Sequence, residues 1–322
     1  MGLGLWLALA AAVGVALWVD RRSFPLTPVH PIPGRLAPPA PDPEAADPEV
    51  VVLPEAMLAG AVRDPHPLRR ALASTGLTFA LWVGVFASLL GGEPPSAERI
   101  ASLGLGPLVF VPVLMLGTAL LWGVLTDGGR ARRSLSGKEK IPGSKGEGGW
   151  MAALGLATRH PGRELAVGLG AGVAAWMTVL VVAVVAAVLA LALGLEELVP
   201  QQPASIIAGL AGLPVAWRLA ISVAAGVGEE IFFRGLLQPR IGLPASTLLF
   251  ALGHVGYGQP FLLLGVTVLS VIYGLLARWR GNVWAAVVAH TLFDAVQLLV
   301  IIPLGIEASG EVSAFVAPGF IW

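Results

Sequence analysis

The stretch "GEEIFFRG", residues 228–235, sets Glu229, Glu230 and Arg234 inside one of the most apolar parts of a very apolar chain. Whether that surrounding is a soluble core or a bilayer decides the fold. Of 322 residues, 56% are hydrophobic and 12% charged, and the mean hydropathy is +0.81. A soluble domain cannot keep that much apolar surface from water. Several runs exceed the roughly 18 apolar residues that cross a bilayer core. In lipid the backbone must satisfy its own hydrogen bonds, so the spans are helices and the fold class is all-α, a polytopic transmembrane bundle.

Composition also excludes. The chain has no cysteine, hence no disulfide, thiolate metal site or cysteine nucleophile. Net charge is zero, and no basic patch interleaved with aromatics points to nucleic acid.

Working outward, apolar periodicity and breakers place about eight spans: 2–19, 71–91, 101–125, 165–194, 214–239, 244–256, 260–278 and 282–303. Residues 1–22 read as an N-terminal anchor closed by Asp20-Arg21-Arg22; a cleaved signal peptide, leaving seven spans, is the second reading. Residues 23–67 hold twelve of the 26 prolines with acidic spacers, an extended cytoplasmic linker. It is read first as a tether and second as a docking segment for a partner. Residues 68–126 form a hairpin. Residues 127–163 form a cytoplasmic loop with eight basic residues, whereas the outer turn at 92–100 has only Arg99. That asymmetry puts both termini outside. The basic loop is a topology determinant before it is a site for anionic lipid. Residues 150–160 read as an interfacial helix with Trp150 at headgroup level. Residues 164–303 form the functional core, and 304–322 a tail.

Counting inward from Arg240, Pro244 and Asn282, the residues Glu230, His254 and His290 each lie about 12–15 Å deep, near the bilayer middle. Three helices therefore put ionisable groups at one depth. A charged side chain there costs at least about 2.5–3.5 kcal/mol, so such groups face one another or water and mark functional sites. Glu230 and Arg234 are spaced i,i+4 with the acid first, the favourable order for an ion pair. Glu229 points about 100° away with no helix-local partner, which suits a general base. His290 and Asp294 are also i,i+4, so the carboxyl group can orient or charge the imidazole. Gly226 and Gly228 strip bulk from the approach to Glu229, to admit a neighbouring helix or a peptide backbone.

Three other readings compete. A buried Glu–Arg pair is often structural. A proton path uses the same residue types, but here they form one layer rather than a file. A zinc site could use His254, His290 and a carboxylate; against it, there is no H-E-x-x-H and Arg234 would oppose a cation. No metal or cofactor is expected.

The three motifs "EEIFFR" (229–234), "FALGH" (250–254) and "HTLFD" (290–294) match E-E-x-x-x-R, F-x-x-x-H and H-x-x-x-N/D in order on successive spans. The chain thus resembles the CPBP family over about residues 165–303. These are intramembrane glutamic endopeptidases that include type II CAAX prenyl proteases and bacteriocin-processing enzymes. The resemblance implies peptide hydrolysis by an activated water, without metal or covalent intermediate. It implies Glu229 as general base, His254 holding the water, His290 and Asp294 stabilising the oxyanion, and Glu230 and Arg234 supporting the site. Asp294 stands where the best understood members have Asn, although the family pattern admits Asp. The implied partners are the bilayer and a membrane-tethered peptide or protein terminus. Non-catalytic scaffold or regulator, and proton-coupled transporter, are the alternative functions. The Ala-, Gly- and Leu-rich composition suggests a bacterial inner membrane, with the site open to the cytoplasmic side.

Overall fold

The computed structural model describes residues 2–23, 67–90, 95–135, 149–200 and 204–305. The chain is all-α, with no strand among the described residues. The helices are α1 (Gly2–Ser23), α2 (Pro67–Gly84), α3 (Ala97–Ser102), α4 (Leu105–Leu135) and α5 (Gly149–Ala153). They continue as α6 (Pro161–Ala192), α7 (Ser205–Ala211), α8 (Val215–Glu230), α9 (Gln238–Gly253), α10 (Pro260–Arg280) and α11 (Trp284–Val296). Residues 24–66 of the Pro-rich linker, residues 136–148 of the basic loop, residues 91–94 of the outer turn and nearly all of the tail lie outside the described residues.

Five of these helical stretches are long and apolar enough to cross a membrane: Gly4–Arg21, Leu105–Leu125, Pro161–Ala192, Pro260–Arg280 and Trp284–Gly305. The other three expected spans are helical but shorter or broken. The span expected at 71–91 is the 18-residue α2, which starts earlier and yields at Gly84 to a 3-10 turn, Phe86–Leu90. The span expected at 214–239 is α8 continued by a π-helix, Ile231–Leu237. At Gly242 the chain takes φ 84°, which a side chain would oppose, and Pro244 restarts the helix that carries the 244–256 segment. The short helix α7 and the π-helices have no counterpart in the sequence expectation.

Helix ends follow local chemistry. Pro161 and Pro260 occupy first-turn positions, where a missing N–H is harmless. Helix α10 ends with Arg278 and Arg280 in its last turn and Gly281 in the left-handed region at φ 67°. Two ion pairs tie helix ends together. Asp20 at the end of α1 meets Arg70 at the start of α2 at 2.8 Å. Glu164 in the first turn of α6 takes a bidentate bond from Arg280, at 2.7 and 3.0 Å.

Packing inside the bundle relies on small residues, because lipid gives helices little hydrophobic reason to associate. Helix α11 lies against α6 and α8. A Cβ at Gly168 would stand 2.8 Å from the Ala285 carbonyl, and one at Gly172 would stand 3.1 Å from that of Ala289. Ala8, Ala12, Ala16 and Val19 bury one stripe of α1 in a core shared with Ala73, Leu77 and Leu81 of α2. The helix expected at 150–160 is shorter than the sequence suggests. Only residues 149–153 are helical in this stretch, and Trp150 is half-buried against the core. Leu154 is fully buried, and its carbonyl stands 2.6 Å from where Gly235 would carry a Cβ. Trp284 Nε1 then donates to Leu156 O at 2.8 Å, holding this segment under the bundle.

Candidate active site

The motif helix α8 enters the centre of the bundle by virtue of its glycines. A Cβ at Gly226 would run into the Thr291 hydroxyl and lie 2.9 Å from Thr291 N on α11; one at Gly228 would lie 2.7 Å from the Pro112 carbonyl carbon on α4. Both glycines thus admit a neighbouring helix, the first of the two uses expected of them. Directly after Glu230 the backbone widens into the π-helix, a rare form that often sits at functional sites.

Glu230 is fully buried, and so is nearly all of Arg234. Its Oε2 pairs with Arg234 Nε at 3.0 Å, as the spacing suggested. Its Oε1 accepts from His290 Nδ1 at 2.8 Å, a link across sixty residues that no local spacing could show. The Arg234 guanidinium lies over the Phe250 ring, 4.6 Å from its centroid, and donates to Ser270 O at 3.3 Å. One carboxylate therefore joins α8 to α11, and one guanidinium joins the π-helix to α9 and α10. Tyr273 of α10 stacks on His290 at 5.2 Å with planes 21° apart. Tyr273 and Ser270 were not singled out in the sequence; a tyrosine in the middle of an apolar span was the available signal.

Glu229 has a different surrounding. Its Oε2 is buried without a hydrogen-bond partner. It lines a cavity of about 550 Å³ together with His254, His290 and Asp294. All four residues singled out as catalytic therefore share one chamber, and Glu230 and Arg234 lie behind its wall, against His290 and Phe250. His254 Nδ1 faces the Phe250 carbonyl at 2.8 Å. A carbonyl only accepts, so Nδ1 carries the proton and Nε2 is left as the acceptor if the ring is neutral. Tyr257 meets the His254 ring edge-on at 5.2 Å. His290 Nε2 lies 3.5 Å from Asp294 Oδ2. That exceeds the length of a charge-assisted hydrogen bond, about 2.7–2.9 Å, so this N–H is not committed to Asp294.

The remaining wall is mostly apolar and comes partly from outside the region of resemblance. Gly84 at the end of α2, Ser88 beyond it, and Pro112 and Met115 of α4 line the same chamber. Ser88 Oγ donates to Leu252 O at 2.6 Å, close to His254. Among the described residues no three of His, Cys, Asp and Glu are grouped as ligands for one metal ion.

No solved structure matches the chain. An uncharacterized protein of Bacillus subtilis (strain 168), YpbD, is 39% identical over 77 residues, 24% of this chain and 41% of that protein. The chain thus spans about two-fifths of the length of this curated relative. Residues 211–296, which hold all three motifs, match the family model described as type II CAAX prenyl endopeptidase Rce1-like, and that family is one of membrane proteases. With its apolar helices and this match in its C-terminal half, the chain is an integral membrane protein that is similar to the Rce1-like family over residues 211–296.

Proposed function

We propose that the protein is an intramembrane endopeptidase of the glutamic type, cutting a membrane-associated peptide or protein terminus with an activated water. The observation that carries this reading is the unequal state of two adjacent carboxylates. Glu230 is held by Arg234 and His290, whereas Glu229 faces the cavity with one oxygen unpartnered.

In this reading a water sits between Glu229 and Nε2 of His254. Glu229 takes its proton as the water attacks the scissile carbonyl, then returns it to the leaving amine. No covalent intermediate forms. His290 supports the developing oxyanion through Nε2–H, which the 3.5 Å gap to Asp294 leaves available. Each ring nitrogen of His290 faces a carboxylate oxygen, Glu230 Oε1 at 2.8 Å and Asp294 Oδ2 at 3.5 Å, and two such neighbours favour a proton on both nitrogens. In this reading Asp294 balances His290 rather than meeting the oxyanion itself. The Arg234 guanidinium supports the metal-independent form, since it places a fixed positive charge beside the chamber wall. The orientation drawn from the basic loop opens the site toward the cytoplasm, and the membrane is the bacterial inner membrane.

The test compares membrane and secreted peptide termini of the source cell with the gene deleted, restored, and restored as Glu229→Gln. The expected result is a terminus that appears only with the intact protein. Full restoration by the Gln variant would instead favour a scaffold that works through partners.

A further inference from the structure

Helix α11 presents His290, Asp294 and then Gln297 at spacings of four and three residues. Seven residues bring Gln297 back to within about 20° of His290, roughly 10 Å further along the axis. At Gln297 the helix passes into a π-helix, Gln297–Ile301, and the side chain lines the same cavity as Glu229. Its Oε1 is buried and has no hydrogen-bond partner. The same cavity is walled by Ile207, Leu210, Ile221, Leu298 and Ile302, none of which has a polar side chain. Gln297 lies just beyond the matched segment 211–296.

A buried amide oxygen without a partner is unfavourable, and the natural remedy is a donor brought by a ligand. An acyl chain has no such donor. A peptide has both an N–H and a C=O on each residue, and a primary amide can accept from the first while donating to the second. Among the described residues, Gln297 is the one side-chain amide on the cavity wall. The Asp294–Gln297 rise of about 4.5 Å matches one to two residues of extended chain, at about 3.3 Å each. We propose that Gln297 is a substrate-binding residue that pairs with the main chain of the bound peptide, within about three residues of the scissile bond. This rests on the protease reading above and adds how the substrate is held.

The test uses the full chain in phosphatidylethanolamine–phosphatidylglycerol vesicles and synthetic peptides spanning the Glu229-dependent cut. In one series the amide N–H is replaced by an ester oxygen at each of three positions on either side of the cut. Gln297→Met keeps the side-chain volume and removes the amide. The expected result is a KM raised about tenfold with kcat nearly unchanged, the effect of one lost hydrogen bond. One ester position should raise the wild-type KM equally and have no further effect in Gln297→Met. That non-additivity needs no mutant in its wild-type arm and would not arise from a merely structural role. An unchanged KM in Gln297→Met, a kcat loss at constant KM, or additive effects at every position would overturn the proposal. A wild-type protein that makes no Glu229-dependent cut would instead remove the protease reading, and this inference with it.

Discussion

Glu229 and Glu230 are neighbours in sequence but belong to two regions with opposite characters. On the Glu230 side the carboxylate faces two cation-type partners, Arg234 at 3.0 Å and His290 at 2.8 Å, with the aromatic faces of Phe250 and Tyr273 around them. On the Glu229 side the polar groups line the chamber, with Glu229 Oε2 and Gln297 Oε1 unpartnered within the chain among apolar walls. The first region is arranged to stay as it is. The second is arranged to receive something. A membrane interior makes both expensive, but only the first repays its desolvation within the folded chain.

The comparison breaks most severely at Glu229. Glu229→Gln should lower cleavage about 10²–10⁴-fold, the usual contribution of a general base, with little change in unfolding, because no partner is left stranded. Steady-state cleavage in vesicles alongside thermal unfolding checks both halves. On the other side, Arg234→Ala strands the fully buried Glu230 and should destabilise the fold by about 3–5 kcal/mol, read as lost accumulation and a lowered unfolding midpoint. Gly226→Val probes the boundary between the regions. The new side chain would collide with Thr291 on α11, and overpacking of this kind costs about 1–3 kcal/mol. The mildest change is Asp20→Asn at the partly exposed α1–α2 end pair, expected within about 1 kcal/mol of the parent by the same unfolding measurement.

The residues of the chamber could be read from the sequence because depth in a bilayer is a counting problem. Rise per residue from Arg240, Pro244 and Asn282 puts three motifs at one level, and i,i+4 spacing shows the Glu230–Arg234 pair. What joins the helices was not legible. The Glu230–His290 bond depends on the rotation of α8 against α11, set by Gly226 packing on Thr291. The π-helices at 231–237 and 297–301 leave no mark in apolar periodicity, since side chains on every face of these segments are apolar or buried. The packing of the Trp150 segment was not legible for a related reason. A tryptophan beside a basic loop reads as interfacial, and only the clefts at Gly123 and Gly235 show that this segment tucks under the core.

The same two carboxylates supply the most direct test. Glu229→Gln and Glu230→Gln should be compared in one preparation, scoring both peptide-terminus formation and thermal unfolding. The account predicts that Glu229→Gln abolishes the cut at an unchanged unfolding midpoint, while Glu230→Gln lowers the midpoint. Cleavage that survives in Glu229→Gln would contradict it, whatever Glu230→Gln does.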